Sequence, residues 1–249
     1  MSNSLNILLF GETGHGKSSV INLIAGRQIA EVSNRAEACT LSFKSHKFAV
    51  NGRAYHIWDT VGLNEPDMEF NAIEQACDLI RGLTSEGGVD LLLFCIRAPR
   101  ATATSQANYR LFYEVLCKSQ VPIAIVVTHL EQEKADMDEW WKRNVGGLEK
   151  FGLKAAGHAC VTGLPTHPKY GESQHNIARL LEGRNSDGRF NMPPETWTIG
   201  FLRLFSRFSP PKSESSMEGI VQVLKERCKM DTTAAEELAR KLEGGELEE

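Results

Sequence analysis

The chain has 249 residues, 41% of them apolar, and a formal net charge of -4. That is room for one well-buried core with an appendage, or for two small domains. The near balance of charge excludes a basic field for nucleic acid, and no apolar run reaches the roughly 18 residues that span a bilayer.

Six cysteines (Cys39, Cys77, Cys95, Cys117, Cys160, Cys228) are scattered without a C-x-x-C pair. Several sit in apolar runs, which suits a reducing compartment without disulfides or zinc. The opening "MSNSLNILLF" has neither the basic n-region nor the long apolar run of a signal peptide. A soluble, cytoplasmic protein is the expectation.

"LNILLF" is a short apolar run of the kind buried on both faces of a sheet. After the glycine-rich stretch "GETGHGKS", "KSSVINLIAG" reads as a helix with Val20, Ile21, Leu23 and Ile24 on its apolar face and Gly26 as its stop. "LSFKSHKFAV" and "RAYHIWDT" flank Asn51-Gly52, a dipeptide suited to φ > 0 at both turn positions. They should be antiparallel neighbours.

A helix is expected over about 68–83, a strand over 89–96, a helix in "SQANYRLFYEVLC" and a strand over 121–128. "MDEWWKRNVGGLEKFG" reads as a helix with a glycine interruption, "HACVTG" as a short strand, and 172–181 as a helix. Alternating strands and helices predict a mostly parallel sheet with helices on both faces, and the hairpin makes it mixed. Composition changes near residue 183. Residues 1–183 are expected to form a nucleotide-binding domain, and 184–249 a loop and helical C-terminal extension with the capping-box pattern Thr233-x-x-Glu236.

Gly11, Gly16, Lys17 and Ser18 satisfy G-x-x-x-x-G-K-[ST] between a predicted strand and a predicted helix. An accidental match is on the order of 1 in 100 for a chain of this size. In that setting, the main-chain N–H groups of Gly11, Glu12, Thr13, Gly14, His15, Gly16, Lys17, Ser18 and Ser19 curl around a phosphate, aided by the helix N-terminus. Lys17 would bridge the β- and γ-phosphates and Ser18 would bind Mg2+. His15 could meet phosphate or a partner protomer, or be a solvated loop side chain.

Asp59-x-x-Gly62 ends a predicted strand. Asp59 can hold a Mg2+-bound water and the Gly62 N–H can sense the γ-phosphate. Thr40 can close over the γ-phosphate and complete the Mg2+ shell, with Ser33 and Ser42 as rivals. In "THLE", a carboxylate at Glu131 can accept from N1–H and the 2-amino group of guanine. Adenine lacks that donor pair, which would cost about 1–3 kcal/mol. "CVTG" would supply main-chain N–H groups, from Thr162 and Gly163, to the guanine O6.

The ordered set GETGHGKS, Thr40, DTVG, THLE and VTG resembles the G-domain GTPases, covering roughly residues 5–182. Within them it looks most like the septin-related branch of the immunity-associated (GIMAP-type) and chloroplast outer-envelope translocon GTPases. The resemblance implies an α/β fold, a three-layer P-loop NTPase G domain with a mixed, mostly parallel sheet, binding GTP/GDP with Mg2+. Thr128, His129 and Glu131 stand where Ras-like proteins carry Asn/Thr-Lys-x-Asp. Leu63 follows Gly62, where Ras-like enzymes carry a water-positioning glutamine. Slow hydrolysis by a lone protomer is therefore implied, with activation by a homodimer paired through the G domain. Some relatives supply an arginine in trans from a Gly-Arg-x-Thr setting after the fourth strand. Arg100 and Thr102 take those places, with Arg97 as rival. Such an arginine is worth roughly 10³ to 10⁵ in rate.

Three readings follow: a dimer-activated GTPase, a GTP-dependent scaffold with negligible turnover, and a P-loop ATPase with Glu131 incidental. Trp140-Trp141 could form a partner face, or place one ring in the core and one at the surface. "WTIGFLRLFSRF" could contact a membrane or a protein, making the chain peripheral to a membrane, or it could pack back on the nucleotide-binding domain.

Overall fold

A computed structural model describes residues 4–31, 42–61, 79, 82–182 and 190–191, and positions 218, 221, 225, 232, 233, 235, 236 and 240. Thr40, Gly62, Leu63, most of the helix expected over 68–83 and most of the extension lie outside the described residues.

Six strands form one sheet in the order β2-β3-β1-β4-β5-β6. They are β1 (Ser4–Phe10), β2 (Ser42–Val50), β3 (Arg53–Val61), β4 (Leu91–Arg97), β5 (Ile123–Thr128) and β6 (Gly157–Cys160). β2 and β3 pair antiparallel, from Val50 opposite Arg53 to Ser42 opposite Val61, and every other pairing is parallel. Asn51 and Gly52 make the turn with φ of 50° and 75°, as the dipeptide requires.

The apolar runs read as uniform in sequence, but side chains alternate across the sheet. Leu8, Phe10, Leu92, Phe94, Ile96, Ile125 and Val127 feed one core; Leu5, Ile7, Leu9, Leu91, Leu93, Ala124 and Val126 feed the other. Helix α1 (Lys17–Ala25) covers the second core with Val20, Ile21, Leu23 and Ile24, as its pattern predicts. The first core takes Tyr109 from α2 (Ala103–Tyr109), and Trp140 and Leu148 from α3 (Asp138–Lys150), which runs through Gly146-Gly147 without the expected interruption. Helix α4 (Tyr170–Leu181) joins the second through Ile177 and Leu181. The result is a three-layer α/β fold.

The helix expected in "SQANYRLFYEVLC" begins two residues earlier and changes pitch. α2 runs into a π-helical turn over Arg110–Leu116, closed by Cys117 N–H donating to Phe112 O at 3.1 Å. The wider turn keeps Phe112 on Phe10, with ring centroids 4.6 Å apart; Phe10 also stacks on Phe94 at 4.8 Å. Trp140 is buried, while Trp141 lies half-buried and stacks on His158 at 4.2 Å, the divided arrangement of the two readings.

The strand expected over 89–96 starts at Leu91 because Val89 pairs elsewhere. Val89 N–H donates to Phe190 O at 2.8 Å and Phe190 N–H returns a bond at 3.0 Å. Ala235 is fully buried in the first core, and Val221 packs against it. Three described points of the extension, Phe190, Val221 and Ala235, therefore lie on the sheet's first face. Among the described residues, no helix is long and apolar enough to cross a membrane.

His56 on β3 is 2% exposed, and burial, reinforced by Lys47 and opposed by Glu86, pushes its pKa down to about 4. Between that value and 6.5 the unfolded chain binds a proton here that the folded chain does not, so stability climbs with pH across this window. His56→Phe is expected to flatten the climb by about 2 kcal/mol, read as urea midpoints at pH 4.5 and 7.

Candidate functional site

Parallel pairing brings the C-terminal ends of β1, β3, β4, β5 and β6 to one edge of the sheet, where open α/β sheets bind ligands. The loop leaving β1 turns sharply there. Gly11 has φ of 143°, and a Cβ built on it would sit 2.3 Å from Cys95 O on β4. Gly14 and Gly16 both have φ of 78°, a left-handed backbone that glycine adopts without strain. Gly16 forms the N-cap of α1 in that conformation, so the first turn of the helix opens directly onto the loop.

Lys17 is buried and folds back over the loop. Its Nζ donates to Gly11 O at 2.8 Å and to Glu12 O at 3.0 Å. Ser18 and Ser19 follow on the first turn, both half-buried. Thr13 and Gly14 are exposed at the tip of the loop.

His15 is 8% exposed, so the solvated-loop alternative fails. Its Nδ1 lies 3.3 Å from Cys95 O and its Nε2 3.9 Å from the Glu12 carboxylate. Burial holds the imidazole pKa below its ordinary value, with Glu12 pulling the other way.

Asp59, near the end of β3 and opposite Leu9 of β1, is 4% exposed. Burial raises its pKa to about 6 against the pull of Lys17 and Lys44, and Oδ1 has no hydrogen-bond partner among the described residues. A buried, unpaired carboxylate oxygen beside a lysine is costly when the site is empty. It fits a hydrated divalent cation, and Ser18 and Asp59 are the described residues that would hold one.

Thr128 braces the loop. Its hydroxyl lies 3.0 Å from His15 O and 3.3 Å from Ile96 O, and its methyl is where a Cβ on Gly16 would crowd, at 3.2 Å. His129 turns the chain off β5 with φ of 61°. Burial, with Arg97 nearby, lowers its pKa, and Glu131 opposes the shift.

Glu131 Oε1 accepts a hydrogen bond from Thr162 Oγ1 at 2.8 Å. Thr162 is fully buried, and its own N–H is spent on Ser173 Oγ at 2.9 Å. The expected main-chain donor at Thr162 is thus taken, and Thr162 enters through its hydroxyl instead. Gly163 passes tight against α1, where a Cβ would meet Ser19 Cβ at 2.6 Å.

The loop, Asp59, the Thr128–Glu131 turn and the Thr162–Gly163 turn therefore share one edge. Arg100 is exposed after β4, two residues before Thr102, which N-caps α2 by accepting from Ser105 N–H at 3.0 Å. Motif reading missed the supports. Ser173 stands behind Thr162, and Lys169 donates to Glu133 O at 2.8 Å and to Ala135 O, fixing the turn beyond Glu131. No spacing in the sequence marks either residue.

A family model described as "50S ribosome-binding GTPase" matches residues 6–129. The chain carries a P-loop GTPase G domain. It is 27% identical over 150 residues to GTPase Der of Campylobacter curvus, covering 60% of this chain and 31% of that one. It is 25% identical over 187 residues to immune-associated nucleotide-binding protein 7 of Arabidopsis thaliana, covering 71% of this chain and 60% of that one. The G-domain chain thus spans a third to three fifths of these relatives. A solved structure of the chloroplast translocon components atToc33 and psToc159 superposes with a TM-score of 0.51 at 20% identity, covering 74% of this chain and 85% of that one. This chain shares that fold, and the proteins similar to it include immune-associated nucleotide-binding proteins, of the branch that the motifs resemble.

The Asp59 carboxyl holds its proton more tightly in the fold than in the unfolded chain, so it costs stability above pH 6 and the cost fades toward pH 4. Asp59→Asn is expected to stabilise the nucleotide-free G domain by about 2 kcal/mol at pH 7.5, with the gain shrinking by pH 4.5 in urea unfolding.

Proposed function

We propose that the chain is a Mg2+-dependent GTPase, slow as a lone protomer and accelerated when two G domains pair across their nucleotides. One observation carries the choice of base: a buried Thr162 hydroxyl holds the Glu131 carboxylate by one oxygen. Held in that way, it can accept from N1–H and the 2-amino group of guanine. Adenine would leave a charged acceptor poorly matched.

On the phosphate side, main-chain N–H groups of the loop and the Lys17 ammonium gather the β- and γ-phosphates. Ser18 and Asp59 would hold Mg2+, with Thr40 as the further ligand from the sequence. When bound, the ion neutralises charge on the phosphate oxygens. Hydrolysis adds a water oxygen to the γ-phosphorus and breaks its bond to the bridging oxygen, which leaves on GDP. Leu63 offers no polar group to orient that water. The missing contribution fits Arg100 supplied by a partner protomer: both arginines are exposed, but Arg97 sits close enough to His129 to lower its pKa, whereas Arg100 lies two residues before the N-cap of α2. For atToc33 and psToc159, dimerization is stated to be important for GTPase activity, which supports the same logic here.

Phosphate release per protomer should rise with protein concentration. A flat profile would favour the scaffold reading. Arg100→Ala should abolish the rise, and Lys17→Ala should lose nucleotide binding. In competition with a fluorescent GTP analogue, GTP should outcompete ATP by about tenfold to a hundredfold. Glu131→Ala should collapse that ratio, and equal competition by ATP in the unaltered protein would replace the GTPase reading with an ATPase.

A further inference from the structure

Glu12 occupies a position of the phosphate loop where the motif needs only a main chain. Its side chain nevertheless reaches across to α2. Glu12 Oε1 accepts from both Thr102 Oγ1, the N-cap of α2, and Ser105 Oγ in its first turn. His15 Nε2 lies 3.9 Å from the same oxygen. Ser105 is fully buried, and the Glu12 side chain is only 16% exposed. Hydroxyl-to-carboxylate bonds are among the stronger hydrogen bonds of a fold, and a carboxylate has acceptor capacity for both.

The same residue is bound from the other side by the phosphate machinery. Glu12 O accepts from Lys17 Nζ at 3.0 Å and from His15 N–H at 3.1 Å. The neighbouring Gly11 has no side chain to pin it other than through its tight fit under Cys95 O. A shift of Lys17 or of the loop main chain as phosphate arrives is therefore delivered to Glu12. Its carboxylate passes that shift to a turn lying two residues from Arg100.

We infer that Glu12 is a positioning residue that couples occupancy of the phosphate loop to the first turn of α2, and through that turn sets the placement of Arg100. The last step rests on the reading of Arg100 given under Proposed function; the coupling itself does not. In this arrangement the nucleotide prepares the arginine that a protomer offers to its partner. Coupling of this kind is a free-energy difference shared by two places, so it is measurable at either.

The main-chain N–H groups of Ser105 and Gln106 report on the turn, because they donate to Thr102 Oγ1 and Thr102 O. Their hydrogen exchange is measured on the full chain, without nucleotide and at saturating GDP. In the unaltered protein, GDP is expected to slow exchange at both positions at least fivefold. In Glu12→Ala the difference should fall below twofold, and Glu12→Gln, which keeps an acceptor oxygen, should restore most of it. Ser105→Ala, read at Gln106, should reduce the difference by an intermediate amount and serves if Glu12→Ala does not fold. An unaltered protein whose exchange ignores GDP, or a Glu12→Ala protein that responds like the unaltered one, overturns the coupling. In parallel, the concentration-dependent part of turnover should drop at least tenfold in Glu12→Ala and recover in Glu12→Gln. Unchanged turnover in Arg100→Ala would remove Arg100 from the reaction, and the exchange measurement would still decide the role of Glu12.

Discussion

The chain leaving β1 runs so close beneath the carbonyl of Cys95 that a methyl group at position 11 would sit inside it. That contact requires parallel pairing of β1 with β4, which puts Phe10 opposite Phe94 and ends both strands at one edge. The phosphate side of the site hangs from the turn that results. Gly16 opens α1 toward the loop, Lys17 folds its ammonium onto the carbonyls of Gly11 and Glu12, and Thr128 supports the loop from β5. A larger residue at position 11 would collide with the main chain of β4 and shift the loop whose carbonyls hold the lysine. The two cores would still form, because the strands that feed them are apolar on both faces.

Two kinds of support divide the site. The phosphate side is held mainly by main-chain geometry, with positive φ at three glycines. The base side is held by side chains in series: Lys169 O receives Ser173 Oγ, Ser173 Oγ receives the Thr162 N–H, and the Thr162 hydroxyl holds Glu131. Main-chain supports tolerate changes of side chain that do not add bulk. A relay of hydroxyls does not, since each member leaves a buried neighbour unsatisfied when it goes. Asp59 belongs to neither group: its Oδ1 has no hydrogen-bond partner among the described residues, and its burial is offset only in part by the charges of Lys17 and Lys44, at a cost in stability that a ligand can relieve.

Much of this was legible in the sequence, for definable reasons. Strand runs, the Asn51-Gly52 turn and the glycine-lysine loop are local patterns; the turn and the loop fall where expected, and the strands do so with shifted ends, β5 starting at Ile123 and β6 ending at Cys160. The π-helical turn after α2 was not legible, because it answers to the packing of Phe112 on Phe10 rather than to any period in the letters. Nor was the start of β4, where Val89 is claimed by Phe190 a hundred residues away. At the site, residue types announced Lys17, Asp59 and Glu131. The second task of Thr162, the burial of His15 and the grip of Glu12 on α2 depend on what lies across the sheet, which no spacing encodes.

The β2–β3 hairpin has a mechanical implication. Its register sets Ser42 directly opposite Val61. The chain therefore enters β2 at Ser42 and leaves β3 at Val61 at neighbouring points. A rigid two-stranded arm yokes the two segments that flank the γ-phosphate position in the sequence reading. A tug on either one is felt at the root of the other, so the pair should respond as a single lever and not as two independent latches.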